Sequence, residues 1–180
     1  CSLPKADMPN VKKLMEDGAY TLKKRSALPS SSAINWASMF MGAGPELHGY
    51  TEWGSKTPEL PSRVLNKNGI FPTIFQLLRD ARPKAEIGCL YEWNGIKYLV
   101  DTLSLNYHYH VADYNKTPKE LGNMASAYIK EKHPTLVAIC YDNPDHTGHT
   151  EGHDTPGYYE KLKELDTYVG QIVQAVKDAG

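Results

Sequence analysis

Leu136-Val137-Ala138-Ile139-Cys140-Tyr141 runs directly into Asp142-Asn143-Pro144-Asp145-His146-Thr147-Gly148-His149. The first six residues form a short continuous apolar run closed by turn formers, the pattern of a buried strand. In an open α/β sheet, ligands gather just beyond the carboxyl ends of the strands. Asp145 and His149 fall at that place, four residues apart. Zinc takes the oxygen and nitrogen donors that such a pair offers. The same residues also read as a polar loop with a hydrogen-bonded Asp and a surface His, because this spacing recurs by chance.

Outward from this strand the chain alternates between strand and helix periods. Thr135 to Tyr141 reads as the central strand, and Glu86 to Trp93 as a second one. Ala19 to Lys24 alternates and reads as a third. Helices are expected over Met8 to Asp17, with Pro9 in the first turn and Gly18 as the stop, and over Ser32 to Met41, stopped by Gly42. Pro72 to Asp80 reads as a helix with Ile74, Phe75, Leu77 and Leu78 inward. Thr117-Pro118-Lys119-Glu120 has the form of a capping box, opening a helix to about Lys132 with Leu121, Met124, Ala125, Tyr128 and Ile129 inward. The longest helix spans Tyr158 to Ala179, with Leu162, Leu165, Val169, Ile172, Val173 and Val176 as its stripe. Strands alternating with helices predict a mixed, mostly parallel sheet between helices.

The 180 residues suffice for one domain with a real core. A hydrophobic fraction of 41% and a charged fraction of 23% are ordinary for a globular protein. Lys+Arg of 20 against Asp+Glu of 21, a formal net charge of -1, argue against nucleic-acid binding by bulk charge. No apolar stretch is long enough to span a bilayer. Cys1 to Lys5 carries no apolar signal core. Cys89 and Cys140 sit in apolar runs and read as buried small hydrophobes, while Cys1 stays open between an expression remnant, a lipidation site and chance.

A second constellation lies at Ser30-Ser31-Ser32-Ala33-Ile34-Asn35, ahead of a helical pattern. A hydroxyl there either caps the helix by accepting a backbone N–H bond, or serves as a nucleophile whose anionic target is held by the helix N-terminus.

The joint pattern resembles the alkaline phosphatase superfamily, most closely its nucleotide pyrophosphatase/phosphodiesterase branch. That branch carries a nucleophile followed at fixed offsets by Asn, Gly, Pro and His-Gly; here Ser32, Asn35, Gly42, Pro45, His48 and Gly49 stand at those offsets. Upstream, Met8-Pro9-Asn10-Val11 through Gly18-Ala19 is similar to the family's "TPNLDRLAAEGV" stretch. Downstream, Pro144-Asp145, Gly148-His149 and Gly152 match "PDxxGHxxG", and Asp166 to Gly170 matches "DxxIG".

What the resemblance implies is two divalent metal ions, usually zinc, roughly 4 Å apart and clamping the transferred group. Ser32 would contact one metal and attack in line, forming a covalent phosphoserine that water then hydrolyses. Asp145 and His149 would be metal ligands, Asn35 would brace the nucleophile turn, and His48 and Gly49 would be structural. The family also places an Asp on a strand before "TPN", and an Asp-His pair with a further His beyond the last helix. None of these is in the chain. The expectation is a single alkaline phosphatase-like α/β domain over residues 1–180, incomplete at both ends. Glu52 and Trp53 stand where diesterases often carry an Asn pair, which leaves diester preference open. No Cys-x-Pro-x-Arg signature points to a formylglycine sulfatase.

Three further groups have two readings each. His153 is either a ligand or a solvated loop side chain. His108 and His110 share one strand face, suited to a ligand pair or a cross-strand surface pair. Trp53, Tyr91 and Trp93 form either a wall for the leaving group or ordinary packing. The sequence therefore points to a metal-dependent hydrolase of small-molecule phosphate esters, with Ser32 as nucleophile and metal contact, and Asp145 and His149 as ligands. The alternatives are a phosphomutase or phosphonate hydrolase of the same superfamily, and a non-catalytic binding domain with a degraded metal site. The resemblance leans toward an extracytoplasmic or periplasmic location. Oligomeric state and substrate identity stay open.

Overall fold

A computed structural model describes residues 2–180; Cys1 lies outside them. In chain order the main elements are α1 (Pro9–Asp17), α2 (Ser32–Met41), α3 (Pro45–His48), α4 (Ile74–Ala81), β1 (Ile87–Tyr91), β2 (Tyr107–His110), α5 (Lys119–Lys132), β3 (Leu136–Cys140), α6 (Asp145–Glu151) and α7 (Pro156–Ala179). The three strands form one sheet in the order β2-β1-β3. Both pairings are parallel, with Cys89 opposite His108 on one side and opposite Ala138 on the other.

Alternation along the strands divides the core. Ile87, Cys89 and Tyr91 join Leu136, Ala138 and Cys140 against Ala33, Ala37 and Phe40 of α2 and Phe75 of α4. Leu90 joins Val137, Ile139 and Tyr141 against Leu121, Ala125 and Tyr128 of α5 and Ile172 of α7. A sheet with helices on both faces buries its middle strand completely, and every residue of β1 is buried. A third cluster pins Met8 to Leu162 of α7.

Several elements depart from expectation. The parallel sheet between helices is as expected, but β1 is its middle strand while β3 lies at an edge, mostly half-buried. An apolar run reports how much a strand can bury, not how many neighbours it has. Ala19 to Lys24 forms no strand; nothing pairs with it, and Tyr20 and Leu22 are exposed. Of the four apolar residues expected inward in α4, Phe75 and Leu78 face the core, whereas Ile74 and Leu77 point to solvent. The capping box at Thr117 does not form, because its side chains have other partners. Thr117 Oγ1 donates to the Tyr114 carbonyl, and Glu120 accepts from the Tyr109 hydroxyl at 2.7 Å. The segment from Asp145 to Glu151 is a short helix rather than a loop.

One long-range lock sits behind the sheet. Asp166, buried on α7, accepts from the backbone N–H groups of Asn10 and Val11 at 3.0 and 2.8 Å and from Asn10 Nδ2 at 2.9 Å. A helix start leaves such N–H groups without intrahelical partners, and a carboxylate there also meets the positive end of the helix. Gly170 makes room: a Cβ there would lie 2.6 Å from the Asn10 side chain.

Candidate active site

Because β1 and β3 run parallel, their carboxyl ends open on the same side of the sheet. From Cys140 the chain turns through Asp142-Asn143-Pro144, with a cis Asn143–Pro144 peptide, and enters α6 at Asp145. Asp145 and His149 stand one turn apart on one face, His149 Nε2 lying 3.4 Å from Asp145 Oδ2. Both side chains are largely exposed. A carboxylate in the first turn and an imidazole in the last also suit the helix dipole. Thr147 Oγ1 donates to Asn143 Oδ1 at 2.8 Å and ties α6 back to its entry turn.

Across from α6, α2 begins at Ser32. Its N-cap Ser31 is extended and makes no side-chain cap bond; Ala33 N donates instead to the Trp53 carbonyl at 3.2 Å. Of the two readings of this hydroxyl, the side-chain cap does not form at Ser31. Asn35 instead braces the approach: its Oδ1 accepts from Ala27 N at 2.8 Å, and its Nδ2 donates to the Ser31 carbonyl at 3.0 Å. The far end of α2 is held by His48, which is fully buried. His48 Nδ1 accepts from Tyr50 N at 3.1 Å, which leaves Nε2–H to donate to Ser38 Oγ at 3.0 Å. Burial pushes the His48 imidazole below its ordinary pKa, in keeping with a neutral structural ring.

Ser32, Asn35, Trp53, Asp145 and His149 line one cleft of about 620 Å³, with Lys24 and Arg25 at its rim. A smaller recess of about 280 Å³ continues from Ser32 past Trp53, Trp93 and Tyr114. The Trp53 and Trp93 rings lie 6.0 Å apart. Tyr91 forms no part of this wall; it is buried and stacks on His108 and His110 at 6.5 and 5.5 Å. His110 Nε2 is 2.9 Å from the Glu92 carbonyl, so both histidines belong to the sheet. His153 is exposed, stands edge-on to Tyr158 at 5.4 Å and does not line the cleft.

Asp142 orders the turn, as its place beside Asp145 suggests, and does so with two residues that no local pattern links to it, Glu92 and Tyr114. Tyr114 donates to Asp142 Oδ2 at 2.8 Å and stacks on His146 at 4.6 Å. Glu92 is fully buried at the end of β1. Its Oε2 accepts from Asp142 N at 2.7 Å and Asn143 N at 3.2 Å, while Oε1 has no partner. Burial outweighs these bonds and raises the carboxyl to about 7. The only local signal was an acid closing an apolar strand.

Oxygen and nitrogen from Asp145 and His149 suit zinc as donors, and their shared helix face presents them together. A catalytic zinc usually takes three protein ligands. Among the described residues, no group of three His, Cys, Asp or Glu side chains converges. The residues present therefore fit one edge of an ion and leave its remaining ligands to be supplied from elsewhere.

A family model described as type I phosphodiesterase / nucleotide pyrophosphatase matches residues 2–180. A 2,3-bisphosphoglycerate-independent phosphoglycerate mutase of Rhodopseudomonas palustris is 35% identical over 74 residues, covering 39% of this chain and 14% of that protein. Murine ectonucleotide pyrophosphatase/phosphodiesterase 5 shares the fold with a TM-score of 0.66 at 17% identity, over 98% of this chain and 49% of that one. An inactive variant of the murine protein in complex with AMP gives 0.65 at 17% identity, over 98% and 49%. The human protein gives 0.60 at 17% identity, over 97% and 48%. The chain thus spans about half the length of these solved structures and a smaller share of the mutase.

Proposed function

The chain belongs to the type I phosphodiesterase / nucleotide pyrophosphatase family, and from that premise we propose that the protein is a metal-dependent hydrolase of small-molecule phosphate esters acting through Ser32. The observation that carries this reading is the cleft that brings Ser32, at an uncapped helix start, together with the Asp145–His149 pair. Neither group alone distinguishes a nucleophile from a cap, or a ligand pair from a helix-stabilising one. Their convergence on one cleft is what supports the reading.

In this reading Ser32 Oγ attacks phosphorus in line, the leaving alcohol departs, and water cleaves the resulting phosphoserine. Ala33 N is taken by the Trp53 carbonyl at 3.2 Å, so it is the positive end of the α2 dipole that favours a non-bridging oxygen as charge builds on it. Asn35 keeps the entry turn rigid, so Ser32 is presented in one orientation. Lys24 and Arg25 offer positive charge to the anionic ester at the cleft rim, and Trp53 with Trp93 bounds the leaving group. Asp145 and His149 would hold a divalent ion of the zinc type. Such an ion, when bound, lowers the pKa of a coordinated oxygen and neutralises charge on the phosphoryl group. A two-ion site needs ligands beyond these residues.

The test is hydrolysis of chromogenic phosphomonoester, phosphodiester and sulfate esters with added zinc, in the full-length protein and its Ser32→Ala variant. Phosphoester turnover lost in the variant supports the proposal. Turnover retained above a few per cent removes Ser32 as nucleophile. The local match to the phosphoglycerate mutase favours a phosphomutase as second reading; phosphate transfer between two hydroxyls of one substrate, without free phosphate release, would single it out.

A further inference from the structure

Asp145 and His149 sit on a helix of seven residues, too short to hold its own place in water. Something must orient it against Ser32. The turn that feeds it, Asp142-Asn143-Pro144, has two backbone N–H groups directed back into the protein, and both end on one oxygen of Glu92. Glu92 is fully buried and directly follows β1, the most deeply buried strand. Its second oxygen has no partner. Folding a carboxylate into such a place, half unsatisfied, is costly. A neutral Gln would be cheaper to bury but would offer those N–H groups only a weaker, uncharged acceptor, and an apolar residue would pack there more cheaply still. A costly side chain kept beside a candidate site marks a place where geometry takes precedence over stability.

We propose that Glu92 is a positioning residue for the Asp145–His149 pair: its carboxylate clamps the Asp142–Asn143 backbone and so sets the direction in which α6 leaves the sheet. This inference rests on the reading of Asp145 and His149 as metal ligands. Glu92 touches neither of them, and acts through the turn. The groups facing it are Asp142 from the turn, Lys161 from α7, Tyr141 at the end of β3, Tyr114 from the loop before α5, and the His110 ring on its own carbonyl. Lys161 Nζ is engaged by Glu164 at 2.6 Å and forms no ion pair with Glu92. The backbone N–H groups are therefore the anchors that the carboxylate has. Charge-assisted bonds of this kind are short and directional, and the Asp142 bond at 2.7 Å is the shorter of the two.

The experiment is zinc titration against a chromogenic chelator at pH 8, in the full-length protein and its Glu92→Gln, Glu92→Asp and Asp145→Asn variants. Circular dichroism checks the fold, and kcat and KM are read at limiting and at saturating zinc. Partners that orient a ligand without touching the metal usually contribute 10- to 100-fold in affinity. Glu92→Gln is expected to stay folded and bind zinc about tenfold more weakly. Its kcat falls at limiting zinc, recovers at saturating zinc, and KM changes little. Glu92→Asp, which keeps the charge but is one methylene short, decides the matter if Glu92→Gln does not fold; it too should weaken zinc. A purely structural role would lower stability and leave the zinc affinity of folded protein unchanged. Zinc binding within twofold of the parent in a folded Glu92 variant, with binding lost in Asp145→Asn, overturns the proposal and leaves the ligand assignment standing. Unchanged binding in Asp145→Asn overturns both.

Discussion

Replacing Glu92 by Gln should make the protein more stable at pH 8 and not at pH 5. Burial raises the Glu92 carboxyl from 4.5 to about 7 in the folded protein. At about 1.4 kcal/mol per pH unit, keeping it ionised costs the fold about 3 kcal/mol. The direction follows from proton binding. Below the unfolded value both states are protonated and nothing is lost. As pH rises from 4.5 toward 7, the unfolded chain has released its proton while the folded one has not, so stability falls. Above the folded value the full penalty applies. Gln cannot ionise and escapes it. Gln also places a donor where Oε1 now lies without a partner, which costs about 1 kcal/mol. At pH 5 the carboxylate penalty is already about 1 kcal/mol, so the variant should match the parent there and be about 2 kcal/mol more stable at pH 8. For a chain of this length that is a rise in Tm of about 4–8 °C at the higher pH. Thermal unfolding followed by circular dichroism, with chelator present so that no metal contributes, gives the number. A variant that melts lower at both pH values, with a deficit at pH 8 no smaller than at pH 5, would refute the reasoning.

Ser32→Ala should remove turnover while shifting stability by less than about 1 kcal/mol, since α2 lacks a side-chain cap to lose; activity assays paired with urea unfolding check both halves. Asp145→Asn should weaken zinc binding at least tenfold by removing a charged ligand, read by chelator competition. Asp166→Ala should cost about 3 kcal/mol or more, because it leaves the N–H groups of Asn10 and Val11 without their shared acceptor; a urea midpoint near that of the parent would show that α1 is held by packing alone. Trp53→Ala should raise KM for aryl phosphate esters more than for methyl esters, since its exposed ring borders the recess beyond Ser32; equal effects on both would remove Trp53 from the leaving-group side.

Much of the architecture was legible from local pattern. The Leu136–Tyr141 run forms β3, the periodic segments form α1, α2, α4, α5 and α7, and Gly42 stops α2 at φ 62°. What escaped depends on partners distant in sequence. Neither strand of the parallel sheet states which of them has two neighbours, so β1 and β3 exchanged places. Ala19 to Lys24 has a strand's alternation but no strand to pair with. The Thr117 box failed because Tyr114 and Tyr109 compete for its side chains. Asp166 and Asn10, one hundred and fifty-six positions apart, stand out by resemblance to a family pattern, yet their bond is invisible in either stretch. In the candidate site, Ser32, Asn35, Asp145 and His149 were all marked in advance, and the fold brings them to one cleft. Glu92 was not, because an acid after an apolar run is ordinarily where a strand surfaces.

The cleft has a built side and an open side. Ser32 is held by Asn35 through the Ala27–Ser31 turn, and α6 by Glu92 and Asn143 through its entry turn; each bond ends on backbone or on a buried group. Asp145 and His149 themselves make no such bond to the rest of the protein, and contact each other at 3.4 Å in solvent. Exposed pairs at this spacing contribute little to stability. A supported turn bearing an unsupported donor pair is the reverse of what fold stabilisation requires, where the burden would fall on the pair. It is what a ligand site requires, with rigidity in the shell around the donors and freedom in the donors until a ligand completes them. The distribution of hydrogen bonds thus supports the proposed metal reading of Asp145 and His149 over the helix-pair reading, where their spacing alone favours neither.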